Sequence, residues 1–222
     1  MNSKNVSFYS RARRSDGAST RSTILNAAGQ LFAEFGYAGT TNRAICERAG
    51  SNTAAINYYF GGKDGLYEAV LIEAHSQIVD YEKLAAIRDS GLSAEEKFSR
   101  LLRMIVRTAR VSSTQWGVAV LLREMLYAPA IPPVLWDVIL PKLSIVRGLV
   151  HDVTGFPEGS AAGNEAVAFM VFSCLGLIIS PTSVKDALLL DMENSPERFE
   201  EDVIAYVVGG LKALRARHSG VE

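Results

Sequence analysis

The chain has 222 residues and a formal net charge of −1 at pH 7, with 48% hydrophobic and 21% charged residues. That length allows one large domain or two small ones, and the composition supports a real core under a solvated surface. A balance this close to neutral excludes binding of nucleic acid through bulk basicity. The charge is unevenly placed: residues 1–63 hold eight basic and three acidic side chains, net +5, which leaves −6 for the remainder. A basic head on an acidic body fits a polyanion-binding module joined to a second unit.

The first residues are polar and basic with no apolar run, so no secretory leader is read there. Residues 1–18 have no apolar period and read as a flexible basic arm. Such an arm is either a plain tail or a strap that follows the DNA backbone or dips into the minor groove. Ser19 to Gly36 reads as the first helix. Ile24, Ala28, Leu31 and Phe35 form its apolar stripe, and Gly36 is the expected C-cap.

Thr40 and Thr41 offer cap hydroxyls for a second helix over Asn42 to Ala49. The turn Gly50-Ser51-Asn52 follows, with Ser51 or Asn52 capping a third helix over Thr53 to Phe60, closed by Gly61-Gly62. Ile45 and Ile56 should point inward. The third helix carries Thr53, Asn57, Tyr58 and Tyr59 and no acid. Two short helices around a Gly-containing turn, the second polar and acid-free, form the pattern of a DNA-reading helix-turn-helix.

Lys63 opens a fourth helix expected to run unbroken to about Ala86 to Arg88, more than ~30 Å. Ser93 and Glu96 have capping-box spacing and open a helix to Arg110, with Leu101, Leu102, Ile105 and Val106 inward. Gln115 to Tyr127 is the next helix, with Val118, Leu121, Leu122 and Met125 inward. The segment Ala128 to Pro133 interrupts it. Pro133 then starts a helix that Pro141 should kink or break and Gly155 should stop.

Two long helices, Ala161 to Ser180 and Pro196 to Arg217, are apolar most of the way round. The run Ala166 to Ile179 is shorter than the ~20 residues of a membrane span and reads as a buried helix, so no membrane partner is expected. A body of this size cannot bury both helices alone, which points to a homodimer through them. Glycine at 209 and 210 costs roughly 1 kcal/mol each inside a helix unless another backbone approaches.

Chemistry of other kinds is not visible. His75, His151 and His218 are scattered, and no HExxH, GxSxG or GxGxxG occurs. Gly62-Lys63 is followed by Asp64, not Ser or Thr. No enzyme, catalytic residue, cofactor or metal site is expected. Cys46 and Cys174 share no CxxC spacing and read as reduced, buried thiols. Cytoplasm is the expected compartment.

The combination Phe32, Phe35-Gly36, Gly39-Thr40-Thr41, Ile45, Ala49-Gly50, Ile56, Tyr58, Phe60, Lys63 and Leu66-Tyr67 resembles the TetR family of transcriptional regulators. The stretch from Leu121 to Pro141 also looks like the C-terminal domain of its CecR subgroup. The resemblance implies an all-α homodimer with a three-helix head over 19–63 and an effector-binding and dimerisation body over 64–222. Such a dimer binds a palindromic DNA operator and usually represses, until a small-molecule effector shifts the heads apart. Carried over by position, the DNA contacts are Thr41, Arg43, Thr53, Ala55, Asn57, Tyr58, Tyr59 and Lys63. The chain departs from the commonest family pattern, which has Tyr at Asn57 and His at Tyr59.

Physical chemistry bears on several of these independently. Arg43 can fork onto guanine or hold a phosphate, and Asn57 matches adenine in the major groove. Lys63, at a helix N-terminus beside two glycines, suits a phosphate. Aromatic and proline-rich sequence between Gln115 and Phe156 favours a cavity, with Trp116, Arg123, Tyr127 and Trp136 as its candidate lining. Of the neighbours Arg123 and Glu124, at most one should point inward. The competing readings are an all-helical interaction module and a constitutive DNA-binding protein without effector.

Overall fold

The computed structural model describes the backbone of residues 4–111, 116–127, 132–189 and 191–219; side chains are described from Ala18 onward, except at Val111, Asp191 and Ser219. Gln115 and Ala128 to Ile131, which carry an expected helix start and most of the expected break, lie outside the described residues. All regular structure among the described residues is helical. The head comprises α1 (Lys4–Gly39), α2 (Asn42–Ala49) and α3 (Thr53–Phe60). Next come α4 (Lys63–Ile78), α5 (Tyr81–Arg88), α6 (Ala94–Val111) and α7 (Trp116–Tyr127). The chain closes with α8 (Pro133–Thr154), α9 (Ala161–Ile179), α10 (Thr182–Leu188), α11 (Asp191–Asn194) and α12 (Pro196–Ser219).

Helical backbone in α1 begins at Lys4, inside the stretch expected to be an arm; no proline there removes a donor. Ile24, Ala28 and Leu31 are buried as expected. Phe35 is not: it is 51% exposed, and Phe32 takes the core position at 1%. Gly36 is the cause. Its φ of 71° and ψ of 177° leave helical geometry one residue after Phe35 and turn the chain. Phe32 then meets the Tyr67 ring edge-on at 4.9 Å.

The long fourth helix does not run through. Val79 is extended (φ −133°, ψ 103°), and the Asp80 side chain accepts from Lys83 N–H at 2.9 Å to start α5. A capping aspartate in mid-run outcompeted the continuous apolar pattern. The Ser93–Glu96 capping box forms in both directions, with Ser93 N–H donating to Glu96 at 3.0 Å and Glu96 N–H to Ser93 at 3.3 Å. Leu101, Leu102, Ile105 and Val106 are buried on α6 as expected.

On α7 the inward face is Gly117 and Val120, while Met125 is 56% exposed. Of the expected face, Val118 and Leu121 are half-buried against the two apolar clusters, and α1 and α4 both pack on α7. Pro133 starts α8 and Gly155 (φ 65°) ends it, but the helix continues across Pro141. The short α10 and α11 were not anticipated, being too short to show a period.

Two large apolar clusters organise the chain. One gathers Ile24, Phe32, Ile45, Ile56, Leu66 and Val70 from α1 to α4, and reaches into Val120 of α7 and Leu135 of α8. The other gathers Leu84, Phe98, Leu102, Leu149, Met170 and Val207 from α5, α6, α8, α9 and α12. Cys174 is buried, and burial pushes its thiol up to about 11; Cys46 is only half-buried, with Sγ 3.8 Å from the Thr53 hydroxyl.

The expectation that α9 is buried holds for one face only. By length and composition α9 is apolar enough to cross a membrane, yet only 28% of its apolar window is buried within the chain. Phe169 and Phe172 on α9 are 59% and 66% exposed, and Tyr206 on α12 is 74% exposed. A Cβ added at Gly176, Gly209 or Gly210 would meet nothing within 4 Å. These glycines make no close approach inside one chain.

Candidate nucleic-acid interface

Local caps build the two short helices. Thr41 is extended, and its hydroxyl accepts from Ala44 N–H at 3.2 Å, starting α2. Thr40 does something else. It is 1% exposed and donates to the carbonyls of Gly36 at 2.8 Å and Leu31 at 3.2 Å, pinning the bend after α1. Of the two candidate caps for α3, Asn52 takes the role, accepting from Ala55 N–H at 3.0 Å. Gly61 ends α3 in the left-handed region (φ 74°), and Gly62 (φ 125°) turns the chain into α4. At Gly65 a Cβ would lie 2.0 Å from the Phe60 carbonyl oxygen, so only glycine lets α4 leave so close under α3.

Ile45 and Ile56 are fully buried and lock α2 to α3. Ala55, Tyr59 and Phe60 are half-buried against the same cluster. The opposite face of α3 presents Thr53, Ala54, Asn57 and Tyr58, the last 82% exposed. No acidic side chain stands on that helix. Thr53, Asn57, Tyr58 and, on α2, Arg43 are thus open to a partner, whereas Ala55 and Tyr59 are partly turned to the core. Arg43 is held meanwhile by Glu47 at 2.8 Å in an exposed pair, which raises its already high pKa through that hydrogen bond. Such a pair is weak and easily exchanged.

Lys63 is half-buried. Its ammonium donates to the Tyr37 carbonyl at 2.7 Å and stands 4.2 Å above the Tyr37 ring. The Tyr37 hydroxyl donates to Asp64, which holds the phenol above its ordinary range. Sequence reasoning missed Arg21, an exposed residue of α1 whose guanidinium lies 4.9 Å over the Phe60 ring. Nothing in the local sequence sets Arg21 apart from the other basic residues of the head.

The expected effector residues are not gathered around one space. Trp116 packs on α1: its Nε1–H donates to Asn26 at 3.3 Å, and a Cβ on Gly29 would lie 2.5 Å from its ring. Arg123 donates to the Glu34 carbonyl at 3.3 Å and lies along Gly36. Glu124 accepts from the Tyr67 hydroxyl at 2.6 Å, and burial with this bond drives the Tyr67 pKa well up. Both Arg123 and Glu124 are therefore engaged, Arg123 in an exposed bond to α1 and Glu124 in a part-buried bond to α4. Tyr127 is 77% and Trp136 43% exposed.

A capped, acid-free helix set after a tight turn has the form of a DNA-reading helix-turn-helix. Residues 24–70 match the model of the bacterial regulatory proteins of the tetR family. Over those residues the head is similar to the DNA-binding domain of the tetR family. Over 134 residues the chain is 31% identical to the HTH-type transcriptional regulator RutR of Escherichia coli O157:H7, covering 59% of this chain and 61% of RutR. Over 53 residues it is 45% identical to the dual regulator CecR of Shigella flexneri, 24% of this chain and 23% of CecR. The chain thus spans less than two thirds of these relatives. Its fold reaches further: a TetR-like transcriptional regulator from Rhodococcus sp. RHA1 superposes with a TM-score of 0.58 at 19% identity, over 91% of this chain and 97% of that one. Each of these matched proteins is named as a transcriptional regulator.

Proposed function

We propose that the protein is a homodimeric repressor that leaves a palindromic DNA operator when a small molecule binds its body. The exposed, acid-free face of α3 carries this reading. In it, residues 19–63 are the reading head, 64–222 the effector and dimerisation unit, and 1–18 an accessory basic arm. Asn57 and Arg43 read bases in the major groove. Thr41, Thr53, Tyr58, Tyr59 and Lys63 hold phosphates, and Ala55 offers a methyl contact. Arg21 joins them as a further phosphate contact.

The open faces of α9 and α12 supply the dimer interface, which would cover Phe169, Phe172 and Tyr206 and give Gly209 and Gly210 a neighbouring backbone. Trp116 and Arg123 enter as the joint between α7 and α1 through which the body acts on the head. Tyr127 and Trp136 remain candidates for the effector side. The identity with CecR supports a place near that dual regulator, and a DNA-bound role sets the protein in the cytoplasm.

Selection of genomic DNA on the full-length protein tests this. A palindrome with two half-sites, enriched in a salt-sensitive way, is the expected outcome. Recovery of DNA without a common sequence at any salt concentration would overturn it.

A further inference from the structure

A groove of about 810 Å³ runs between α5 and α6. Along α6, Arg100, Arg103 and Arg107 follow one another at i, i+3 and i+7, a single stripe on the helix surface. Lys83 of α5 faces them, and Ile87 and Met104 form the apolar floor. No acidic residue lines the groove. Arg103 and Arg107 share one carboxylate, that of Glu200 on α12, at 3.9 and 3.0 Å. Glu200 is only 7% exposed, so it is tied up behind the stripe. Lys83 and Arg100 have no carboxylate within ion-pair distance among the described residues.

Glu96 acts on Arg100 and Glu197 on Arg107 only from beyond ion-pair distance, so the four cations of the groove still repel one another in the absence of an anion. The guanidinium fork matches a planar carboxylate or a phosphate, and a thioether adapts to an aliphatic chain. We infer that this groove binds a small organic anion, with a carboxylate or phosphate head on Arg100 and Lys83 and a short aliphatic body on Ile87 and Met104. This rests on the reading of the body as the effector unit and names the chemistry of the effector.

The position suits regulation. Gln77 closes the inner end of the groove two residues before Val79, where α4 stops. Its carboxamide oxygen is buried and packs where a Cβ on Gly117 of α7 would stand. An anion wedged between α5 and α6 bears on this corner. From there α4 runs back to Lys63 in the head.

The test is calorimetric titration of the full-length protein with octanoate, octyl phosphate and octanol at low and high salt. Octanoate or octyl phosphate should bind with an affinity that falls as salt rises, the tighter of the two assigning the head group, and octanol should not bind. Lys83→Gln with Arg100→Gln should weaken the anion at least about tenfold, with helicity, oligomeric state and operator affinity unchanged. Met104→Gln should weaken the same anion while leaving its salt dependence in place. Equal binding of octanol, or parental affinity in the double variant, would overturn the inference. Operator affinity, read separately by anisotropy, distinguishes the two readings: an anion that binds here and leaves the operator complex intact confirms the site and refutes release by it.

Discussion

The Lys63 ammonium donates to the Tyr37 carbonyl at 2.7 Å, tying the first residue of α4 to the end of α1. An ammonium has three donors, so this bond leaves capacity for a phosphate. The same side chain can therefore grip DNA and fix the junction between head and connecting helix.

Lys63→Ala should weaken operator binding about equally for strong and weak sites. It should also lower the salt slope by about one. Anisotropy titrations across a salt series read both quantities. Parental affinity and slope would remove Lys63 from the interface.

Asn52→Ala removes the cap of α3 and leaves Ala55 N–H without its side-chain acceptor. The expected loss is about 1 kcal/mol of stability, visible in thermal or urea unfolding. Asn52→Ser should recover most of it, because a hydroxyl caps as well. Equal loss in both variants would show that the cap is not the cause.

His75 gives the protein an acid-side dependence. Burial, reinforced by the Lys142 ammonium 3.0 Å away, lowers its pKa from 6.5 to about 4. The unfolded chain then binds a proton between these values and the folded chain does not. Stability is fully present above about pH 6.5 and declines as pH falls toward 4, by at most about 3 kcal/mol from this group. His75→Gln should flatten the stability profile across that window. An unchanged slope would assign the acid sensitivity elsewhere.

Phe172→Glu places a charge on the open face of α9, where the parent side chain is 66% exposed. Helicity should persist, since little intrachain packing is lost. Sedimentation should shift from dimer to monomer, and operator affinity should fall because the two heads no longer bind together. A dimer of undiminished stability would place the interface on another surface.

The head was largely legible because its signals are local. Thr41, Asn52 and Gly61 satisfy helix ends within a few residues of themselves, and the Ser93–Glu96 box does the same for α6. Ile45 and Ile56 followed from periodicity. The misjudged features depend on what lies alongside. Phe32 replaced Phe35 in the core because Gly36 turns the chain toward Tyr67. Trp116 and Arg123, chosen for a cavity, were drawn onto α1, which lies far away in sequence.

By itself, then, the sequence determined the helix ends, the acid-free face of α3 and the uneven charge, all set by chemistry within a turn or two of helix. Only the tertiary structure decided that Lys63 holds Tyr37, and that Lys83 and the arginines of α6 border one groove. Those arrangements arise when helices distant in the chain pack side by side, and the free energy of that packing belongs to surfaces no local pattern contains.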